Sequence, residues 1–249
     1  MKAEVIAKPR HLNQEFYQRF SNSFSATRQR VQPGVDRVLQ EVPQSAQWLD
    51  IGCGNGNLAA KWASQSRKGI YYGIDFSQKL LEDAKKNIKN VALPNDLKIQ
   101  FSLIDFLESD WLGRLPHVLW DGVSMFAVLH HVPSRALREK LCASVRKILA
   151  TGKPFYLSVW QIQNSQRLLS RIQPWRAVGF DENEVEEGDI LMDWRAPTPW
   201  DTKRRGLRYV HVFTAQELEE LARGAGFKVV DSFYSDGKEG NLALYQKWM

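Results

Sequence analysis

A chain of 249 residues has room for one large domain, or for one domain carrying an insertion. With 43% hydrophobic and 25% charged residues it can bury a full core without disulfides or metals, and Cys53 and Cys142, its only cysteines, argue against a disulfide framework. The net charge of +6 suits an anionic partner such as nucleic acid, or only a soluble surface. Residues 12–24 and 34–42 have helical spacing, the second opened by Pro33 in a favourable first-turn position. Trp48–Ile51 reads as a short buried strand running into glycines, and Leu58–Ser66 as a helix. Ile70–Ile74 is the next strand, and Ser77 caps a helix with Leu80, Leu81, Ala84 and Ile88 on one face. Leu97–Leu103 alternates as a strand. Trp120–Phe126 is another, followed after Pro133-Ser134 by a helix through Leu149, and Thr151–Pro154 turns the chain into a strand at Phe155–Trp160.

Between Gln161 and Leu207 this rhythm breaks. The stretch holds acidic residues (Asp181, Glu182, Glu184, Glu186, Glu187, Asp189) and a Pro/Trp-rich piece, Trp194–Trp200, and a long aperiodic segment of this kind is usually functional or disordered. Regular structure resumes with a strand at Tyr209–Phe213 and a helix at Thr214–Ala225 closed by Gly226. Strands at Phe227–Tyr234 and Asn241–Trp248 then read as an antiparallel hairpin. Strands alternating with helices imply an α/β fold, a mostly parallel sheet covered on both faces. With its final hairpin, the pattern resembles the Rossmann-like class I methyltransferase fold. That likeness implies seven strands, N-terminal helices and an insertion after the fifth strand. The expected organisation is one domain, 1–249: a helical cap (1–44), a cofactor-binding core (45–160), a substrate-side insertion (161–207) and the C-terminal part of the sheet (208–249).

The loop Leu49-Asp50-Ile51-Gly52-Cys53-Gly54-Asn55-Gly56-Asn57 carries the chemistry. Glycines at 52, 54 and 56 between a strand and a helix bring backbone close to a ligand. The third glycine follows the second by two residues, so the dinucleotide spacing does not fit. Asp50 would repel a pyrophosphate and favours a ligand with a cationic ammonium and sulfonium, a description met by S-adenosylmethionine. Cys53 lies within the same loop. Asp75, followed by Phe76, ends the second strand and can accept from both ribose hydroxyls. Asp105 and Phe106 after the third strand suit an adenine amino group and ring. Phe126 opens the floor beneath the reacting methyl. Each Asp alone is as well explained as a helix cap; in order, at the carboxyl ends of successive strands, they point to one site.

Five further segments closely resemble the tRNA wobble-uridine carboxymethyl methyltransferase family. They are Phe24-Ser25-Ala26-Thr27-Arg28, Ala127-Val128-Leu129-His130-His131, Val159-Trp160, Gly188–Trp194 and Arg208–Phe213. One departure is Val210, where the family has a second tyrosine. The resemblance implies methylation of a carboxylate on a carboxymethyl-type wobble uridine, with S-adenosyl-L-methionine as cofactor and tRNA as partner. It also raises a small zinc-binding activator protein, with which eukaryotic members of the family work.

A carboxylate is already ionised at neutral pH, so this reaction needs alignment and water exclusion rather than a general base. The candidates for clamping the acceptor and the cofactor carboxylate are Arg28, Arg208, His130 and His211, with Tyr209 beside them. In this division Arg28 holds the methionine carboxylate while Arg208 and His211 orient the substrate. The alternatives are structural: His130 as a cap on the helix after the fourth strand, His211 as a satisfied histidine under the insertion, Trp160 and Trp194 as core. Seven basic residues in 1–37 (Lys2, Lys8, Arg10, Arg19, Arg28, Arg30, Arg37) against three acidic ones, and a second group at Lys203, Arg204, Arg205 and Arg208, suit tRNA phosphates. No histidine–cysteine spacing suggests a metal, and no signal-like or membrane-spanning apolar run is present, so a cytoplasmic enzyme that does not act on DNA is expected. A small-molecule carboxylate or O-methyltransferase is the competing reading, and a non-enzymatic cofactor-binding subunit a third.

Overall fold

The computed structural model describes residues 3–27, 30–195 and 205–249. In chain order the elements are α1 (Ala3–Thr27), α2 (Pro33–Glu41), β1 (Ser45–Ile51), α3 (Asn57–Ser64), β2 (Lys68–Asp75), α4 (Gln78–Lys89), β3 (Leu97–Leu103), β4 (Gly122–Phe126), α5 (Arg135–Ile148) and β5 (Phe155–Trp160). They continue with α6 (Gln166–Leu169), β6 (Ile172–Gln173), β7 (Asp189–Arg195), β8 (Arg205–His211), α7 (Ala215–Gly224), β9 (Val229–Ser235) and β10 (Ala243–Trp248).

Seven strands form one sheet in the order β3-β2-β1-β4-β5-β10-β9. β1 pairs in parallel with β2 and β4, β2 with β3, and β4 with β5, whereas β10 runs antiparallel to both neighbours. Period-two alternation sends successive side chains of each strand to opposite layers. Leu49, Ile51, Tyr72 and Ile74 join the core formed with α5 and α7. Trp48 and Tyr71 instead join Trp62 and Tyr245 in the core on the α2–α3 face. This is the Rossmann-like class I methyltransferase fold expected from the sequence.

The expected cap on α4 is present, Ser77 Oγ accepting from the Leu80 N–H, and α5 is capped by Ser134, whose Oγ accepts from the Leu137 N–H. Three boundaries differ. The first helix is longer than 12–24 and contains Pro9, which removes one internal donor without ending the helix. Trp120 precedes β4 rather than belonging to it, forming an isolated parallel bridge with Leu149. The expected strand at 209–213 is instead β8, and it leaves the main sheet. It pairs antiparallel with β7, which pairs with β6, in a separate three-stranded sheet. The structured insertion therefore extends through His211, and the C-terminal part of the main sheet begins after it. No described helix is long and apolar enough to cross a membrane.

Candidate active site

The glycine loop is shaped at two positions. Gly52 has φ +74°, and a Cβ on it would lie 2.4 Å from Val128 Cγ2, so neither a side chain nor an ordinary backbone conformation is tolerated there. Its N–H and that of Cys53 donate to the Ile74 carbonyl at 2.8 and 3.0 Å, carrying the loop across the end of β2. Gly54, at φ +54°, has nothing within 4 Å of the position a Cβ would take and leaves open space at the wall of a cavity of about 450 Å³.

Every cofactor-site residue expected from the sequence except Arg28 lines this cavity: Asp50, Gly52, Cys53, Gly54, Asp75 and Phe76, together with Asp105, Phe106 and Phe126. Arg28 lies outside the described residues, as do Lys203 and Arg204. Asp50 is buried and accepts from the Tyr71 hydroxyl at 2.5 Å and the Ser124 hydroxyl at 2.7 Å. Asp75 is buried and accepts from the Ser77 N–H at 2.8 Å and the Gly54 N–H at 3.0 Å. Burial pushes both carboxyls up to about 6, against the restraint of these hydrogen bonds. Burial likewise pushes the Cys53 thiol well up, with Asp75 and Asp50 adding to the effect, so it stays neutral. Among the described residues no Lys or Arg forms an ion pair with Asp50 or Asp75.

Asp105 is engaged more heavily. Its Oδ1 accepts from the Leu107 N–H at 2.9 Å, and its Oδ2 accepts from Arg10 at 2.7 Å and Gln14 at 3.1 Å. Both partners belong to α1, which closes one side of the cavity with Arg10, Asn13, Gln14 and Tyr17. These recur at i, i+3, i+4 and i+7, a polar stripe that helical spacing alone would have revealed.

The two adjacent histidines divide sharply. His131 lines the cavity, and His130 does not. His130 is fully buried against the Trp160 ring, with centroids 4.6 Å apart, and accepts from the Trp160 N–H at 3.3 Å. It stands behind the cavity wall rather than on it, and the cap of α5 is Ser134. His131 Nδ1 lies 3.1 Å from the Tyr209 carbonyl, which only accepts, so Nδ1 carries the hydrogen. In the neutral ring Nε2 then accepts from the Tyr17 hydroxyl at 2.9 Å.

His211 is also displaced from the site. It is buried between Asp189, 2.7 Å from Nδ1, and Glu217, 2.9 Å from Nε2, and does not reach the cavity. Burial lowers its pKa, but the two carboxylates outweigh this and leave it raised above 6.5. Tyr209, whose hydroxyl donates to Asp189 at 2.6 Å, belongs to the same buried group. Arg208 does line the cavity; its guanidinium stands 4.5 Å from the Trp160 ring centroid and 5.1 Å from that of Phe16. Trp160 and Trp194 line the cavity as well, Trp194 also packing 5.0 Å from Phe20. Beside them stand Arg167 of α6 and Arg171 just after it, cavity residues absent from the sequence expectations. Among the described residues no three His, Cys, Asp or Glu side chains gather as a metal-holding group.

A glycine-cradled cavity with unpaired acids at the carboxyl ends of β1 and β2, on this sheet order, defines the methyltransferase class. Residues 23–232 match the methyltransferase domain family, and the chain belongs to it. It is 30% identical over 234 residues to a protein of Encephalitozoon cuniculi named as a methyltransferase, covering 93% of each chain. It is 26% identical to the tRNA (carboxymethyluridine(34)-5-O)-methyltransferase of Schizosaccharomyces pombe, covering 88% of this chain and 90% of that one. The solved DhpI complex with SAM and HEP superposes with a TM-score of 0.66 at 17% identity over the whole of both chains. The chain is thus an S-adenosyl-L-methionine-dependent methyltransferase. Its cavity fits that cofactor: Gly54 leaves the space a Cβ would fill, and Asp50 and Asp75 offer negative charge that no described side-chain cation offsets.

Proposed function

We propose that this enzyme esterifies the carboxylate of a carboxymethyl-type modified wobble uridine in tRNA. The observation that carries the reading is the arginine-lined side of the cavity, where Arg167, Arg171 and Arg208 of the insertion meet Trp160 and Trp194. Guanidinium groups bind carboxylates and phosphates in forked geometry, and aromatic rings hold unstacked bases. The relationship to the S. pombe enzyme and the basic N-terminal segment support the same acceptor. A cytoplasmic location goes with such a substrate.

In this reading Asp75 takes the ribose hydroxyls with the lone pairs that Gly54 and Ser77 leave available. Phe106 flanks the adenine, and Asp105 accepts from its amino group in competition with Gln14 of α1. Asp50 faces the cationic amino-acid end, and Phe126 supports the floor. The cofactor supplies, when bound, an electrophilic methyl on a sulfonium. Arg208 and Arg171 hold the acceptor carboxylate, while α1 and the insertion exclude water. No general base is required, in keeping with His131 already committed on both ring nitrogens.

The test is transfer of labelled methyl by the isolated chain to tRNA that carries the free carboxymethyl group, followed by nucleoside mass spectrometry. A base-labile methyl ester at the wobble uridine, with binding that weakens steeply in salt, is expected. Methylation of a small carboxylic acid with none of tRNA would overturn the reading. Turnover without any added subunit would dispense with an activator protein.

A further inference from the structure

Asp50 sits at the centre of a chain of buried donors. Trp48 Nε1–H has only a hydrogen to give and donates to Ser124 Oγ at 3.0 Å. The Ser124 hydroxyl must therefore spend its own hydrogen on Asp50 Oδ1, at 2.7 Å. Tyr71 gives its hydroxyl hydrogen to Asp50 Oδ2 at 2.5 Å. Tyr71 and Ser124 are both fully buried. A protonated Asp50 that donated to either of these oxygens would turn that hydroxyl's hydrogen away from its acceptor, and one that donated into the cavity would weaken both bonds by losing its charge. The hydrogen-bond directions thus match the ionised carboxylate, against the pull of burial. The titratable groups facing it are Tyr71 and Asp75 from β2 and Cys53 from the loop, while β4 supplies only the uncharged Ser124. None of these offsets its charge.

We propose that Tyr71 and Ser124, the latter oriented by Trp48, are positioning residues that keep Asp50 charged and aimed at the cationic end of the methyl donor. The inference rests on the placement of Asp50 opposite that end. None of the three relay residues lines the cavity, so their influence on the ligand passes through Asp50 alone.

The experiment measures donor affinity by calorimetry from pH 5.5 to 8.5 in wild type, Tyr71→Phe, Ser124→Ala and Asp50→Asn. Asp75 titrates in the same range, so the Asp50 carboxyl is also followed directly by carbon NMR, assigned from Asp50→Asn. Wild type should lose affinity as pH falls through about 6. Tyr71→Phe, which keeps the ring packed on Trp62, should move the Asp50 midpoint up by about one pH unit. Its affinity at pH 6 should fall about fivefold and return to within about twofold of wild type at pH 8.5. Ser124→Ala should shift the midpoint in the same direction, and it carries the test if Tyr71→Phe does not fold. An unmoved Asp50 midpoint, or an equal loss of affinity at every pH, overturns the relay. Unchanged affinity in Asp50→Asn instead overturns the placement of Asp50 itself.

Discussion

Two groups of buried and half-buried acids flank the insertion, and they are balanced in opposite ways. Around the cavity, Asp50 and Asp75 are held only by hydroxyls and backbone N–H groups. Beneath the small sheet, Glu186 and Glu217 meet the buried Arg138 at 2.9 and 3.6 Å, and Asp189 and Glu217 grip His211 from both sides. The second group is neutralised within the protein and joins the insertion to α5 and α7. The first is left with negative charge that a ligand can match. Buried charge without an internal counterion marks a binding site; buried charge with one marks a joint.

The sharpest way to break that contrast is to remove the internal counterion. Arg138→Met leaves Glu186 and Glu217 facing each other and His211 without its neighbouring cation, and should cost about 3–5 kcal/mol of stability in urea unfolding. A loss below about 1 kcal/mol would mean that the carboxylates re-solvate freely and that the joint holds nothing.

pH separates the two groups without mutation. Asp50 and Asp75 ionise near 6 when folded and near 3.8 ordinarily, so between these values the folded state holds protons that the unfolded chain has released. Stability of the ligand-free protein should therefore fall as pH rises through this window, by on the order of 2–3 kcal/mol for each acid. His211, raised above 6.5, contributes in the same sense at higher pH: its stabilisation is full below 6.5 and is lost as pH passes its folded value. Saturating cofactor should flatten the acid window and leave the histidine slope in place. Melting curves with and without cofactor would show this, and a cofactor that removed both slopes would collapse the distinction.

Asp75→Asn tests the cavity group from the other direction. The amide keeps the shape but loses the charged acceptor, so cofactor affinity should fall about 10- to 100-fold. Stability of the ligand-free protein at neutral pH should change by no more than about 1–2 kcal/mol, because the amide nitrogen faces one of the Ser77 and Gly54 N–H donors while a desolvated charge has gone. Calorimetry and urea unfolding on one preparation would check both; a variant that loses stability and keeps affinity would assign Asp75 to the scaffold.

The contrast also explains which parts are legible in the sequence. β3 and β5 fall where alternation and apolar runs place them, and Asp50, Asp75 and Asp105 stand out because each lies at or just past the carboxyl end of a strand, in order. Their site is built from backbone and strand ends, and a linear pattern records both. The joint is built from Arg138, Glu186, Asp189 and His211, distant in sequence and polar in a place where periodicity looks for apolar residues. The acidic run, which reads as a patch, therefore hides the half-buried Glu186 and the buried Asp189, two anchors of the insertion. His130 and His131 share one short 3-10 turn, and only the turn's orientation decides which faces the cavity. The α1 wall is the missed feature with a signal, in the stripe from Arg10 to Tyr17.

Arg171 offers the smallest effect and the finest test. It lines the cavity on the insertion, and among the described residues no acid forms an ion pair with its side chain. Its fixed link to the small sheet is through its carbonyl, which accepts from the Asp193 N–H at 2.9 Å and survives substitution. Arg171→Ala should thus raise KM for the tRNA acceptor about 5- to 10-fold, with kcat and cofactor affinity nearly unchanged, because the guanidinium binds ground state and transition state alike. Arg171→Lys should recover part of the loss, since an ammonium keeps the charge but not the fork. A fall in kcat at constant KM would instead mean that Arg171 aligns the carboxylate in the transition state rather than simply binding it, and a lowered melting temperature would move it from the cavity group to the joint.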